Sequence, residues 1–195
     1  MSWVVEPGDY ELNSEGNPVA VCTLADDIRL PWNHVAIKGH NMTENLGLER
    51  MVLNVISNPN IRFLIVCGSE IKGHNSGQSL ISLWKNGVDA KNRIIDARGA
   101  IPVIQNIPSS FIRRFQEQVT VVDMIGVSDH RILSKKVREL GCGRVKPYKG
   151  RRIDFSRYLM KPDVVESIPT SGRSTVSISE DYGITLDPES GRISG

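Results

Sequence analysis

The stretch Arg62-Phe63-Leu64-Ile65-Val66-Cys67-Gly68 decides the fold of this 195-residue chain. Its five central residues are apolar without alternation, which indicates a strand buried on both faces of a sheet. A glycine-rich loop follows at Gly68–Gln78, and then Leu80, Leu83 and Trp84 form an apolar stripe at helical spacing. A strand, a loop and a helix in this order are typical of a parallel sheet covered by helices.

The same alternation continues in both directions along the chain. Four further apolar runs predict strands at Pro18–Leu24, Val35–Lys38, Arg93–Ala97 and Val119–Gly126. Helical apolar patterns lie between them, and their candidate N-terminal capping residues are Asn41 or Thr43, Ser76 and Ser128. We therefore expect an α/β fold with a mainly parallel central sheet.

Charge separates residues 142–195 from the preceding part of the chain. Residues 142–161 hold seven basic residues and one acid, whereas residues 162–195 hold two basic residues and six acids. The end of the chain is rich in Ser, Gly and Pro, which is typical of loosely ordered segments. We interpret residues 1–141 as one domain and residues 142–195 as a basic-then-acidic C-terminal extension that is partly disordered. Its stretch 144–161 is a candidate contact for an acidic partner or an anionic surface, or else a solvated linker.

Composition narrows the class of protein. The formal net charge of +2 gives no indication of a nucleic-acid partner. No stretch approaches the roughly 18 apolar residues of a transmembrane segment, and the N-terminus lacks a signal-peptide pattern. Three cysteines, Cys22, Cys67 and Cys142, have no zinc-binding spacing, and their odd number favours a reducing compartment. We therefore expect a cytoplasmic protein without a transmembrane segment.

The loops at the carboxyl ends of the strands are the candidate site, because ligands bind there in open α/β sheets. They are Gly39–Thr43, Gly68–Gly77 and Gly99–Ile104. In the second loop His74 directly precedes a helix, and its neutral imidazole can bind a metal while Glu70 or Ser69 accepts the second N–H. The alternative is a solvated loop histidine among capping residues. A single histidine cannot form a zinc site, but it can be the axial ligand of a metal held by a macrocycle.

Other catalytic patterns are missing from the sequence. It has no glycine-rich phosphate-binding motif, no Ser-His-Asp pattern and no paired carboxylates at a strand end. These absences disfavour an NTPase, a nucleotide-dependent oxidoreductase and a hydrolase. His40 repeats the Gly-His-Asn triplet of His74 and is therefore the second candidate metal ligand.

Several longer stretches resemble, in the same order, the A subunit of tetrahydromethanopterin S-methyltransferase. They are Thr43–Gly47, Ile56–Glu70, Gly73–Ser79, Asn86–Asp89, Gly99–Pro102 and Phe115–Val119. The resemblance implies a single Rossmann-like domain that binds cobalamin. It further implies that cobalt carries a methyl group from a methyl-tetrahydropterin donor to an acceptor thiol such as coenzyme M, together with partner methyltransferase subunits.

The resemblance also implies which residues form the site. His74 is the implied cobalt ligand. The loop residues implied to contact the corrinoid are Thr43, Glu44, Asn45, Gly68, Ser69, Glu70, Gly73, His74, Gly77, Gln78, Gly99, Ala100, Ile101 and Pro102.

Three departures from the family pattern keep alternatives open. Membrane-bound members end in a hydrophobic anchor, and we expect none here. The segment Gly39-His40-Asn41-Met42 replaces a Gly-Pro-Cys-Lys segment, and Lys72 stands where the DxHxxG signature of ordinary cobalamin domains has its Asp. The chain is accordingly interpreted as a soluble methyl carrier, or as a binding or regulatory module that kept the fold and lost methyl transfer. A third interpretation is an enzyme acting on a pterin or folate without a corrinoid.

Overall fold

The computed structural model describes residues 3–150, 153 and 155, together with the backbone of residues 185–186 and 193–194. The chain divides into two compact units, Met1–Met160 and Lys161–Gly195. Most of the predicted C-terminal extension, including much of its basic stretch, lies outside the described residues.

The described part of the first unit is built around a five-stranded sheet. Its strands are β1 (Tyr10–Leu12), β2 (Val19–Cys22), β3 (Val35–Gly39), β4 (Phe63–Gly68) and β5 (Thr120–Ile125), and its helices are α1 (Leu46–Ser57), α2 (Ser76–Asn86), α3 (Ser109–Gln118) and α4 (His130–Gly141). The strand order is β1-β3-β2-β4-β5. Only β1 is antiparallel to its neighbour, so the predicted α/β fold with a mainly parallel sheet is confirmed.

The sheet is covered on both faces. Leu64 and Val66 of β4 pack into the core cluster that contains the apolar residues of α1, α2 and α3. Ile65 and Cys67 of the same strand point the other way, into the cluster that contains Leu133 of α4. This two-sided burial is what the continuous apolar run of β4 predicts. None of the four helices described is both long and apolar enough to cross a membrane.

Helix N-termini lie close to the predicted positions, and of the predicted capping residues Thr43 caps its helix whereas Ser128 does not. Helix α1 begins after Asn45, whose side chain accepts from the N–H of Leu46, while the Thr43 hydroxyl accepts from the N–H of Gly47. Helix α4 begins after Asp129, which accepts from the first backbone N–H groups. Ser128, the predicted cap, instead donates its hydroxyl to Asp26.

The predicted strand Arg93–Ala97 is wrong. The segment forms only isolated antiparallel bridges, Val88 with Ile94 and Arg93 with Val103. Asn92 and Asp96 have φ values of 60° and 61°, which interrupt extended backbone. Residues 87–108 therefore form a compact loop between α2 and α3 rather than a sixth strand of the sheet.

Residues after α4 contact the same unit. The backbone N–H of Tyr148 donates to the carbonyl of Pro59, and its ring centroid lies 3.8 Å from the guanidinium carbon of Arg114. The ring of Phe155 packs against Phe111 with centroids 5.7 Å apart. The predicted division of the chain at residue 141 stays a prediction, but these contacts give it a direct test.

The described part of the second unit consists of two short strands. They are β6 (Thr185–Leu186) and β7 (Ile193–Ser194), which pair antiparallel with Thr185 opposite Ser194.

Candidate functional site

The topology of the sheet selects one crevice. From β2 the chain passes to β3 on one side, then returns through α1 to β4 on the other side. The direction of strand order thus reverses between β2 and β4, and ligands of open α/β sheets bind outside the carboxyl ends of the strands at such a point. The loops that follow β3 and β4 lie at this end and meet the loop between α2 and α3.

One buried carboxylate joins these three loops. Glu44 precedes α1, and its Oε2 lies 3.0 Å from Nδ1 of His74, in the loop after β4. Its Oε1 accepts from the backbone N–H of Ile101 at 2.8 Å, in the loop between α2 and α3. The Glu44 side chain is 3% exposed, whereas the His74 side chain is 50% exposed. The carboxylate is therefore a buried support for a histidine that faces solvent.

The hydrogen bonds of Glu44 set the tautomer of His74. Burial by itself would raise the pKa of Glu44, but hydrogen bonds from the N–H of Ile101, from its own backbone N–H and from His74 outweigh burial and lower that pKa. An ionised carboxylate can only accept, so the proton of the neutral imidazole lies on Nδ1. Nε2 then keeps its lone pair, and it has no hydrogen-bond partner among residues 3–150. This is the arrangement found in metal-binding histidines, in which a carboxylate fixes the far nitrogen.

The acceptor predicted for His74 is corrected by this geometry. The Glu70 carboxylate instead accepts from the backbone N–H groups of Gly77 at 3.1 Å and Gln78 at 2.6 Å, at the start of α2. The Ser69 hydroxyl donates to Asp26. Glu70 is needed at the helix because Asn75, the residue at the N-cap, is left-handed at φ 47° and makes no side-chain cap.

The DxHxxG signature has an Asp two residues before its histidine, and this chain has Lys72 there. The carboxylate that contacts His74 comes instead from Glu44. The family resemblance implied Glu44 as one of the loop residues but did not pair it with His74. Thirty residues separate the two along the chain, and no local spacing connects them. The two residues come together because the loops after β3 and β4 meet in the fold.

Gly99 allows the third loop to approach this pair. A Cβ at Gly99 would lie 2.5 Å from the carbonyl oxygen of His74 and 2.6 Å from Cγ of Glu44. The Gln78 side chain holds the same loop against α2, since its Oε1 accepts from the N–H of Arg98 and its Nε2 donates to the carbonyl of Asp96. The predicted residues Gly99 and Gln78 thus position the site through packing and backbone hydrogen bonds.

Apolar side chains border the polar pair. Met42 and Leu46 lie two residues before and after Glu44, and Ile101 donates its N–H to that carboxylate. All three side chains are exposed, and Ile101 reaches 60%. Exposed large apolar residues of this kind are typical of surfaces that bind a partly apolar ligand.

The other predicted site residues have backbone or packing roles. Thr43 and Asn45 cap α1. Gly68 has φ 82°, and a Cβ there would lie 2.2 Å from the carbonyl oxygen of Thr23. Gly73 has φ 92° with open space around it, and a Cβ at Gly77 would lie 2.8 Å from Leu24. The predicted residues Ala100 and Pro102 flank Ile101, and the carbonyl of Pro102 accepts from Ile94.

His40, the second candidate ligand, is not part of this arrangement. Its Nδ1 lies 3.1 Å from the carbonyl oxygen of Leu24, and its Nε2 lies 3.9 Å from a carboxylate oxygen of Asp9. Both nitrogens thus face groups of the protein. His40 lines a separate cavity under α1 that sequence patterns did not predict, because its walls come from four distant segments.

Comparisons with known proteins place most of the chain in one protein family. Residues 1–146 match the family model for the A subunit of tetrahydromethanopterin S-methyltransferase. The chain is 51% identical over 140 residues to the A 1 subunit of tetrahydromethanopterin S-methyltransferase of Methanothermobacter marburgensis. This alignment covers 70% of the chain and 59% of the relative. It is 45% identical over 176 residues to the A 2 subunit of the Methanobrevibacter ruminantium enzyme, and this alignment covers 85% of the chain and 90% of the relative.

A further relative carries a different name. The chain is 43% identical over 139 residues to the A subunit of the putative methyltransferase Mtx of Methanosarcina barkeri, covering 71% of this chain and 70% of that protein. With the Methanothermobacter marburgensis relative, in contrast, the match spans only 59% of the relative's length.

Proposed function

The chain belongs to the family of the A subunit of tetrahydromethanopterin S-methyltransferase, and from this membership we propose that it is a corrinoid-binding methyl carrier. In this proposal His74 is the axial ligand of cobalt in cobalamin. The methyl donor is a methyl-tetrahydropterin, the acceptor is a thiol such as coenzyme M, and partner methyltransferase subunits bring both. The observation that carries the proposal is the half-exposed His74, whose Nδ1 is held by Glu44 and whose Nε2 has no hydrogen-bond partner among residues 3–150.

The described residues fit a corrinoid. His74 offers one nitrogen, which matches a metal whose equatorial ligands come from a macrocycle. The missing side chain of Gly99 lets the three loops close around the base of the imidazole. The exposed side chains of Met42, Leu46 and Ile101 supply apolar surface beside it.

When bound, the corrinoid supplies the cobalt on which the methyl group is accepted and released. The residues of the chain orient and tune the axial position. Glu44 holds the proton on Nδ1 of His74 and thereby raises the basicity of Nε2 toward a metal. Because Glu44 also binds the N–H of Ile101, a change at His74 is transmitted to the loop between α2 and α3.

Spectral titration with cobalamin tests the proposal. We expect the purified chain to bind cobalamin in the form in which a protein imidazole replaces the nucleotide base on cobalt. Electron paramagnetic resonance of the reduced complex, prepared with ¹⁵N-labelled histidine, should show one histidine nitrogen bound to cobalt. His74→Ala should lose this signal, and His40→Ala should keep it. A histidine signal that survives in His74→Ala would contradict the assignment.

Methyl transfer needs a separate test, since a binding or regulatory module would also bind the corrinoid. The cobalamin-loaded chain should become methylated from a methyl-tetrahydropterin in the presence of a partner methyltransferase, as followed by its absorption spectrum. Binding without methylation by any donor enzyme would favour the regulatory alternative.

A further inference from the structure

Cys142 is the exposed member of the three cysteines of the chain. Cys22 and Cys67 are buried, and burial raises the pKa of each of these two thiols to about 12. Both therefore stay protonated at neutral pH, and the thiolate is the reactive form of cysteine. A thiol reagent that meets the folded chain thus finds one accessible target.

His34 stands beside this thiol. Its Nε2 lies 3.7 Å from Sγ of Cys142, although the two residues are 108 positions apart in the chain. In the tautomer that carries its proton on Nδ1, the imidazole can accept the thiol proton through Nε2. A cysteine with an imidazole at this distance has the arrangement that activates sulfur nucleophiles.

The fold holds the imidazole in place. His34 directly precedes β3, its carbonyl accepts from the backbone N–H of Val19 at 3.1 Å, and its φ of 73° is left-handed. Gly141, the last residue of α4, gives the side chain its room. A Cβ at Gly141 would lie 2.2 Å from Cβ of His34 and 2.4 Å from its Cγ. The ring therefore packs on the end of α4, where Cys142 follows.

The surroundings of the pair are positively charged. Residues 130–149 hold seven basic side chains and one acid, Glu139. Arg138 lies one helical turn before Cys142, and Arg144 lies two residues after it, and both are exposed. Coulomb attraction therefore favours a negatively charged reactant at this thiol.

We propose that Cys142 is a thiol–disulfide exchange site for small anionic disulfides, with His34 as the base. Nε2 of His34 takes the proton from Sγ, and the thiolate attacks one sulfur of the disulfide. A new S–S bond joins Cys142 to that half of the reagent, the old S–S bond breaks, and the other half leaves with the proton from His34. Cys142 is oxidised as the leaving half is reduced, so the disulfide is the oxidant.

This site is separate from the proposed cobalt site. His34 lies at the amino end of β3, whereas His74 follows the carboxyl end of β4 in the parallel part of the sheet. The exchange therefore does not depend on the proposed function. It places a negative group directly before the basic stretch that begins at Arg144, and a free thiol removes that group again.

Three disulfides of different charge test the proposal on the full chain. They are the anionic 3,3′-dithiodipropionate, the neutral bis(2-hydroxyethyl) disulfide and the cationic cystamine. Mass spectrometry gives the rate at each cysteine, and each rate is divided by that of the free thiol N-acetylcysteinamide with the same reagent. We expect modification of Cys142 alone, with a relative rate about fivefold higher for the anionic than for the neutral disulfide, the scale of one charge pair about 4 Å apart in water. Salt at about 1 M should remove this preference, because it shortens the screening length to about 3 Å.

Two variants separate the roles of the base and of the charge. His34→Asn removes the base, and Asn tolerates left-handed backbone, so exchange with all three reagents should slow by about tenfold or more. His130→Asn, at the exposed start of α4, is the matched control and should change no rate. Continued protection of Cys22 and Cys67 reports that the variant is folded. Arg144→Gln should reduce the preference for the anionic disulfide and leave the rate with the neutral one unchanged.

Two results would overturn the proposal. One is a wild-type chain whose Cys142 shows no preference for the anionic disulfide over the neutral one. The other is a folded His34→Asn variant that exchanges as fast as the wild type. Neither result bears on cobalamin binding or on the ligand role of His74.

Discussion

Replacing Glu44 by Gln should reverse the tautomer of His74. Gln has almost the same shape as Glu, but one of its two terminal atoms is an NH₂ group that donates. Both oxygens of Glu44 face donors, Nδ1–H of His74 and the N–H of Ile101. If the remaining oxygen keeps Ile101, the NH₂ group faces Nδ1, which must then accept. The proton moves to Nε2, and the lone pair that we propose binds cobalt is lost.

The size of this effect follows from the bond that is lost. A hydrogen bond to a charged group contributes about 2 kcal/mol, which corresponds to a change of about thirtyfold in the ratio of the two tautomers. The same loss should lower the melting temperature by about 4–8 °C for a protein of this size. The tautomer is measured by ¹⁵N nuclear magnetic resonance of labelled histidine in the cobalamin-free protein, and axial ligation by the absorption spectrum after cobalamin is added.

Glu70→Gln is the matched control, because both oxygens of Glu70 likewise face donors, the backbone N–H groups of Gly77 and Gln78. It should lose comparable stability without changing the tautomer of His74. The role assigned to Glu44 is refuted if His74 of the wild type carries its proton on Nε2, or if Glu44→Gln leaves the proton on Nδ1.

Three further perturbations test the packing around the site. Gly99→Ala should reduce the free energy of unfolding in urea by about 1–3 kcal/mol, because its Cβ would overlap His74 and Glu44, whereas Gly143→Ala, with open space around its Cβ, should change little. Tyr148→Leu should reduce the free energy of unfolding by about 1 kcal/mol through loss of the ring contact with Arg114; an unchanged value would favour the predicted domain boundary at residue 141. The pKa of Glu44 is lowered on folding, so its contribution to stability is full above the unfolded pKa of about 4.3 and is lost as the pH falls below that value. In urea unfolding measured between about pH 6 and pH 3, the free energy of unfolding of Glu44→Gln should therefore fall less with decreasing pH than that of the wild type.

The parts of the fold that were predictable are those decided by residues close in sequence. The apolar run Phe63–Cys67 specifies a strand buried on both faces whatever surrounds it, and the structure has β4 there. Arg93–Ala97 also contains apolar residues, but Asn92 and Asp96 have positive φ values, and the segment forms only isolated bridges. The Ser128 cap failed for a long-range reason, since its hydroxyl is taken by Asp26, 102 residues earlier.

In the candidate site, too, the features set by residues close in sequence were predictable, and those set by distant residues were not. The position of His74 after a strand end and before a helix is local information, and the sequence therefore selected this residue as a candidate whose role stays a prediction. Its partner could not be predicted. Glu44 lies between the two residues that cap α1, and thirty residues separate it from His74. The cavity under α1 was unpredictable for the same reason, since β2, β3, α1 and the N-terminal segment build it together.

The shared carboxylate of Glu44 has a consequence for protein engineering. Transplanting the segment around His74 into another α/β scaffold would carry over the imidazole and the Glu70 cap of its helix, but neither the buried acceptor nor the glycine that admits the third loop. The recipient would gain a histidine with no preferred tautomer and a freely rotating ring. A functional graft must exchange the stretches around Glu44, His74 and Gly99 together, because the portable unit is the whole edge of the sheet and not a contiguous motif.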